Sequence, residues 1–106
     1  METLLPTQTT EAPTPSEKRI AFGEADELFE ALSSRTAREV LATLYEEPAT
    51  KSQVANRVDS SIQNVSYHLK NLERADLVTP VDTWYSQKGQ EMDVYAPTAG
   101  PLILDS

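Results

Sequence analysis

The sequence predicts a mainly α fold closed by a small β-hairpin, an α+β domain, and three observations predict it. Apolar residues recur at spacings of three and four through most of residues 26–72, the signature of amphipathic helices. Ser, Thr and Asn residues and one proline punctuate that pattern where helices would start and stop. Beyond Leu77 the apolar residues become β-branched and aromatic around a Gly-containing turn, which is the signature of a hairpin.

The elements follow in order. Residues 1–19, rich in Thr, Pro and Glu with Pro6, Pro13 and Pro15, lack periodicity and are expected to be a disordered tail. The folded domain is expected over residues 20–98, with 99–106 a short C-terminal extension. Phe22–Ser33 is expected to form a short helix with Leu28, Phe29 and Leu32 on one face. Ser33 or Ser34 then caps a second helix whose core face is Ala37, Val40, Leu41 and Leu44, and Pro48 ends it. A third short helix starts at a capping box of Thr50 and Gln53 and turns inward Val54, Ala55 and Val58. Asp59 and Ser60 make a tight turn into a fourth helix, Ser60–Ala75.

That fourth helix organises the chain. Ser60 with Gln63 fits a second capping box, and Ile62, Val65, Leu69 and Leu72 form one apolar stripe. The other face carries Gln63, Asn64, Ser66, Tyr67, Lys70, Asn71 and Arg74, groups able to pair with base edges and phosphates. An ordinary amphipathic helix has the same stripe. What distinguishes this one is a capped short helix just before it, a hairpin just after it, and a local reversal of charge. Two short helices joined by a tight turn are the helix-turn-helix unit, and residues 60–75 are then its recognition helix. The hairpin over residues 81–96, turning at Gln87–Gln90 with a positive φ at Gly89, is the candidate wing, with Lys88 at its tip. The whole order is that of a winged helix-turn-helix. Leu102–Leu104 is a final apolar triplet that suits either an added strand or a segment from which a longer chain continues.

Charge sharpens the reading. The chain of 106 residues has a formal net charge of −8, but unevenly distributed. Residues 1–47 carry four basic and ten acidic side chains, and residues 76–106 carry Lys88 against five acids. Residues 48–75 carry Lys51, Arg57, Lys70 and Arg74 against Asp59 and Glu73, the one positive segment, as an electrostatic footprint for DNA requires. The acidic remainder suits a halophilic protein, since at 1 M salt the Debye length is about 3 Å and acidic flanks barely repel DNA.

Other function classes find little support. There is no cysteine, which removes disulfides and thiolate metal sites. The lone His68 cannot build a metal site and is expected to pack or hydrogen-bond at the helix surface. No nucleophile–base pair or phosphate-cradling glycine loop points to an enzyme, and no cofactor is expected. No apolar run reaches a membrane span and METLLPTQTT is no secretory signal, so a cytoplasmic protein without a membrane partner is expected. The competing reading is a winged-helix module that binds protein and has lost DNA binding, motivated by the acidity.

The stretch from Leu28 to Pro97 resembles the ArsR-type regulators, the arsenic-repressor group, particularly their haloarchaeal members. Arg35–Leu44 matches the opening R-x-x-I/V-L-x-x-L pattern, with Val40 and Leu41 adjacent within it. Ser61, Val65, Ser66, His68, Leu69, Lys70, Leu72, Ala75, Leu77 and Val78 match S-x-x-x-V-S-x-H-L-K-x-L-x-x-A-G-L-V, with Asp76 in place of the usual glycine. The resemblance implies an archaeal transcriptional regulator that binds double-stranded DNA as a homodimer. It implies DNA-reading positions at Ser61, Gln63, Asn64, Ser66 and Tyr67, and phosphate contacts at Lys51, Ser52, Lys70 and Lys88. Ile62 stands where the family often has glutamine, so the sequence read is expected to differ. The paired cysteines of metal-sensing relatives are missing, and so is their C-terminal helix. Phe22–Leu32 or the last residues would then have to supply the dimer contact.

Overall fold

The computed structural model describes residues 16–105. The expected tail therefore lies, up to residue 15, outside the described residues. Its last four positions do not, and Lys18 and Arg19 open strand β1 (Lys18–Ala21). The C-terminal extension likewise contains a strand, β5 (Leu102–Asp105), which runs parallel to β1 in register Lys18↔Leu102 to Ala21↔Asp105. Ion pairs fasten this two-stranded sheet: Arg19 to Asp105 at 3.2 Å, and Lys18 to Asp76 at 2.6 Å. Ile20 and Leu102 pack its inner side against the core.

The single helix expected over Phe22–Ser33 is two pieces, a 3-10 turn at Phe22–Glu24 and α1 (Asp26–Ala31). Leu28 is buried, Leu32 half-buried, and Phe29 exposed rather than inward. Helix α2 (Arg35–Glu46) begins at Ser34, whose hydroxyl accepts the Ala37 N–H at 3.4 Å. Ala37, Val40, Leu41 and Leu44 are all buried, as the spacing requires. Glu47, held extended before Pro48, ends it. A two-residue strand, β2 (Ala49–Thr50), then leads straight into α3 (Lys51–Val58). The Thr50–Gln53 capping box forms in both directions, Gln53 N–H to Thr50 Oγ1 at 3.3 Å and Thr50 N–H to Gln53 Oε1 at 2.9 Å.

Asp59 takes the left-handed conformation at φ 55°, which lets the Ser60 N–H return to the Ala55 carbonyl at 3.0 Å and turns the chain. Helix α4 (Ile62–Arg74) follows, capped by Ser61 and not by Ser60. Its stripe is also shorter than the spacing suggests. Val65, Leu69 and Leu72 are essentially dry, whereas Ile62 at the first position is 51% exposed. At the far end Asp76 adopts φ 61°, the geometry usually left to glycine, and the Leu77 N–H closes on the Leu72 carbonyl at 2.8 Å.

Strands β3 (Val78–Tyr85) and β4 (Glu91–Pro97) form the hairpin, slightly longer than the expected 81–96. A bulge between Pro80 and Asp82 interrupts their register. The turn closes through the Ser86 N–H to the Gln90 carbonyl at 2.9 Å and Gly89 N–H to the Ser86 carbonyl at 2.8 Å, with Gly89 at φ 78°. β4 is central in the antiparallel sheet β2–β4–β3, with Ala49 opposite Tyr95. β2 thereby ties the start of α3 to the base of the hairpin. The core lies under this frame, built from Val40, Leu41, Leu44, Val54, Val65, Leu69, Leu72, Leu77, Val78 and Tyr95. Burial raises the Tyr95 hydroxyl above the ordinary tyrosine range, and the nearby carboxylates of Asp93 and Glu73 push it the same way.

Candidate nucleic-acid interface

Helix α4 presents its polar residues outward because its inward arc is filled. Val65, His68, Leu69 and Leu72 face the core, leaving Ser61, Gln63, Asn64, Tyr67 and Lys70 exposed and Ser66 half-buried. Two of these have local work to do. Ser61 Oγ accepts the Asn64 N–H at 3.0 Å as the helix cap, and the Asn64 side-chain amide donates to Ser60 Oγ at 2.9 Å. That second bond pins the Asn64 side chain while leaving its carbonyl oxygen and one N–H for a partner. Tyr67 stands 63% exposed, its ring edge-on to His68 at 5.3 Å between centroids. Of the two expectations for His68 the packed one holds, since it is 8% exposed.

The first turns of α3 and α4 and the turn-proximal start of β4 enclose a cleft of about 520 Å³. Thr50, Lys51, Ser52 and Ile62 line one side and Gln90, Glu91, Met92 and Asp93 the other. Lys51 and Ser52, placed by sequence on a different helix from the reading positions, therefore share this cleft with Ile62 at the start of α4. Gln63, Asn64, Ser66, Tyr67 and Lys70 continue along α4 beyond it. Lys88 is exposed at the tip of the hairpin, two residues before Gln90 and not itself part of the cleft lining.

The cations differ in their availability. Arg57 is engaged by Glu47 at 3.1 Å. Among the described residues, Lys51, Lys70, Arg74 and Lys88 form no ion pair. Sequence reasoning missed the cleft's other wall, where Glu91 and Asp93 bring negative charge and Met92 an apolar surface. It also placed Ile62 inside. The cap at Ser61 makes Ile62 the first helical residue, where it overhangs the end of the packed bundle. Among the described residues no three of His, Cys, Asp or Glu converge in a way that would hold a metal ion, and no helix is long and apolar enough to cross a membrane.

Comparison with known proteins bears on this geometry. Residues 32–81 match the family described as helix-turn-helix domain. Among solved structures, an ArsR-like transcriptional regulator from Rhodococcus sp. RHA1 is 30% identical, with a TM-score of 0.60 over 72% of this chain and 64% of that one. Reduced HlyU from Vibrio cholerae N16961 is 21% identical, with a TM-score of 0.58 over 71% and 73%. The homodimeric winged helix-turn-helix DNA-binding domain of Mb0332 from Mycobacterium bovis, a possible ArsR-family transcriptional regulator, is 15% identical, with a TM-score of 0.55 over 69% and 62%. The last two likenesses are of fold alone. No curated protein matches significantly. Four helices and a small antiparallel sheet in this arrangement are a winged helix-turn-helix fold.

Proposed function

We propose that this winged helix-turn-helix chain is a sequence-specific DNA-binding transcriptional regulator of the ArsR type, with α4 as recognition helix and the 81–96 hairpin as wing. The observation that carries the reading is the outer face of α4. Gln63, Asn64 and Tyr67 are exposed side by side on a helix whose opposite face is fully packed, and unengaged Lys70 lies one turn on. Side-chain amides and hydroxyls reach base edges, and Lys51, Ser52, Lys70 and Lys88 hold phosphates on either side. The chain acts by binding rather than catalysis, in the cytoplasm of a salt-loving archaeal cell, without metal or cofactor. It works as a homodimer whose contact includes Phe22 and Phe29, the aromatic side chains that Phe22–Leu32 leaves exposed.

The test is chromatin immunoprecipitation of the tagged protein in its own host at native salt. Discrete peaks sharing a motif of two-fold symmetry are expected. No enrichment over an untagged strain, with the protein present and folded, overturns the reading. Glu91 and Asp93 beside the cleft favour a second reading, a module that binds protein rather than DNA. A partner retained from native extract after nuclease treatment, with no DNA retained even at low salt, is the result that reading requires.

A further inference from the structure

We infer that Ile62 is a specificity-determining residue of the DNA-binding unit, and that it takes the C5 methyl group of a thymine in the major groove. The inference rests on the reading of α4 as recognition helix.

Ile62 is the one member of its apolar row that the fold does not use. Val65, Leu69 and Leu72, on the same side of α4, are closed off from solvent, while Ile62 leaves half its surface open. A single exposed aliphatic residue is ordinary by itself. Its position is what matters here. Ile62 opens the helix that carries the reading positions, directly between Ser61 and Gln63. It lines the cleft with Lys51 and Ser52 beside it and half-buried Met92 across from it.

The occupant of that space is constrained by its walls. Glu91 and Asp93 on the hairpin side disfavour a phosphate there, whereas Lys51 and Ser52 at the start of α3 suit one. With the backbone on the α3 side, the groove edge of a base falls toward Ile62. Ile62 has no hydrogen-bonding group, so it can recognise only an apolar feature. The major-groove edge of DNA offers one among the four bases, the thymine methyl.

The experiment has two stages. In vitro selection from random double-stranded DNA first yields a bound site. Each thymine of that site is then replaced singly by deoxyuridine, which removes the methyl and nothing else, and affinity is measured for wild type, Ile62→Ala and Ile62→Val. One thymine per half-site is expected to lose about fourfold in affinity with wild type, the worth of one buried methyl group. The Ile62→Ala protein should be indifferent to the same replacement, and Ile62→Val should retain part of the sensitivity. Affinities are measured well below the melting midpoint of each protein, so the variants report on contact and not on folding. A wild type indifferent to every replacement, or an Ile62→Ala protein as sensitive as wild type, overturns the assignment while leaving DNA recognition intact. Failure of the selection to enrich any sequence overturns both.

Discussion

The two faces of α4 answer to different demands. On the inner face Val65, Leu69 and Leu72 are each at most 1% exposed, and every one of them touches the common core. On the outer face the Gln63 and Lys70 side chains have no hydrogen-bond partner among the described residues, and the Tyr67 ring stands edge-on to its neighbour His68. The inner face is what folding needs, and any helical protein could own it. Apart from the cap at Ser61 and the Asn64–Ser60 bond, the outer face contributes no packing to the fold, so the rest of its composition reflects something outside the chain. The difference separates residues that should alter stability from those that should alter binding.

The largest effect belongs to the inner face. Leu69→Ala is expected to cost about 2–5 kcal/mol, the range for truncating a buried leucine. A domain of this size has only modest stability, so urea unfolding should move to much lower midpoints or the fold should be lost. A loss below about 0.5 kcal/mol would mean that the inner face is not the packed surface described. Asn64→Ala sharpens the opposite side. It should weaken binding to a cognate site by about 1–3 kcal/mol and leave random DNA unaffected. Its stability should change little, since the bond it loses, to Ser60, is exposed. Equal loss on cognate and random DNA would show that the outer face positions the helix without reading bases. Thr50→Ala probes the junction that holds the two helices and the hairpin together. Removing one half of its capping box should cost about 1 kcal/mol of stability, with the affinity for DNA preserved once the protein is folded.

The same division explains what the sequence disclosed. Helices α2, α3 and α4 were legible because their inner rows repeat at the helical period and their ends carry Ser34, Thr50 and Pro48. Of the three left-handed positions among the described residues, Gly89 was legible because few residues tolerate that geometry, Asp76 stood where glycine is usual, and Asp59 was read only as part of a tight turn. The errors fall where local signals are degenerate or missing. Ser60 and Ser61 can each cap, and Gln63 fits a box with the wrong one. Asn64 settles it by donating its N–H to Ser61. Ile62 obeys the apolar spacing, but spacing does not reveal that the bundle ends before it. β2 is two residues long, and its pairing with β4 depends on a strand far along the chain. β1 and its pairing with β5 are the extreme case: the triplet Leu102–Leu104 suited a strand, but its partner is joined through pairs such as Arg19 and Asp105, 86 positions apart. The reading positions were named from residue type and resemblance. The cleft that sets Lys51 and Ser52 against Ile62 exists only in three dimensions.

The smallest effect tests whether the wing belongs with the outer face of α4. Lys88 is exposed at the hairpin tip, forms no ion pair among the described residues, and lies outside the cleft. A lysine so placed can hold a phosphate but has no base edge fixed against it. Lys88→Ala should therefore weaken cognate and random DNA by the same factor and reduce the slope of log affinity against log salt by about 1. The contrast with Asn64→Ala is the informative part, since that substitution should change the cognate-to-random ratio and leave the slope alone. If Lys88→Ala altered the ratio instead, the wing tip would be reading sequence in the minor groove, and the division between a reading helix and a merely anchoring hairpin would fail. If it altered neither ratio nor slope, the hairpin tip would lie off the DNA.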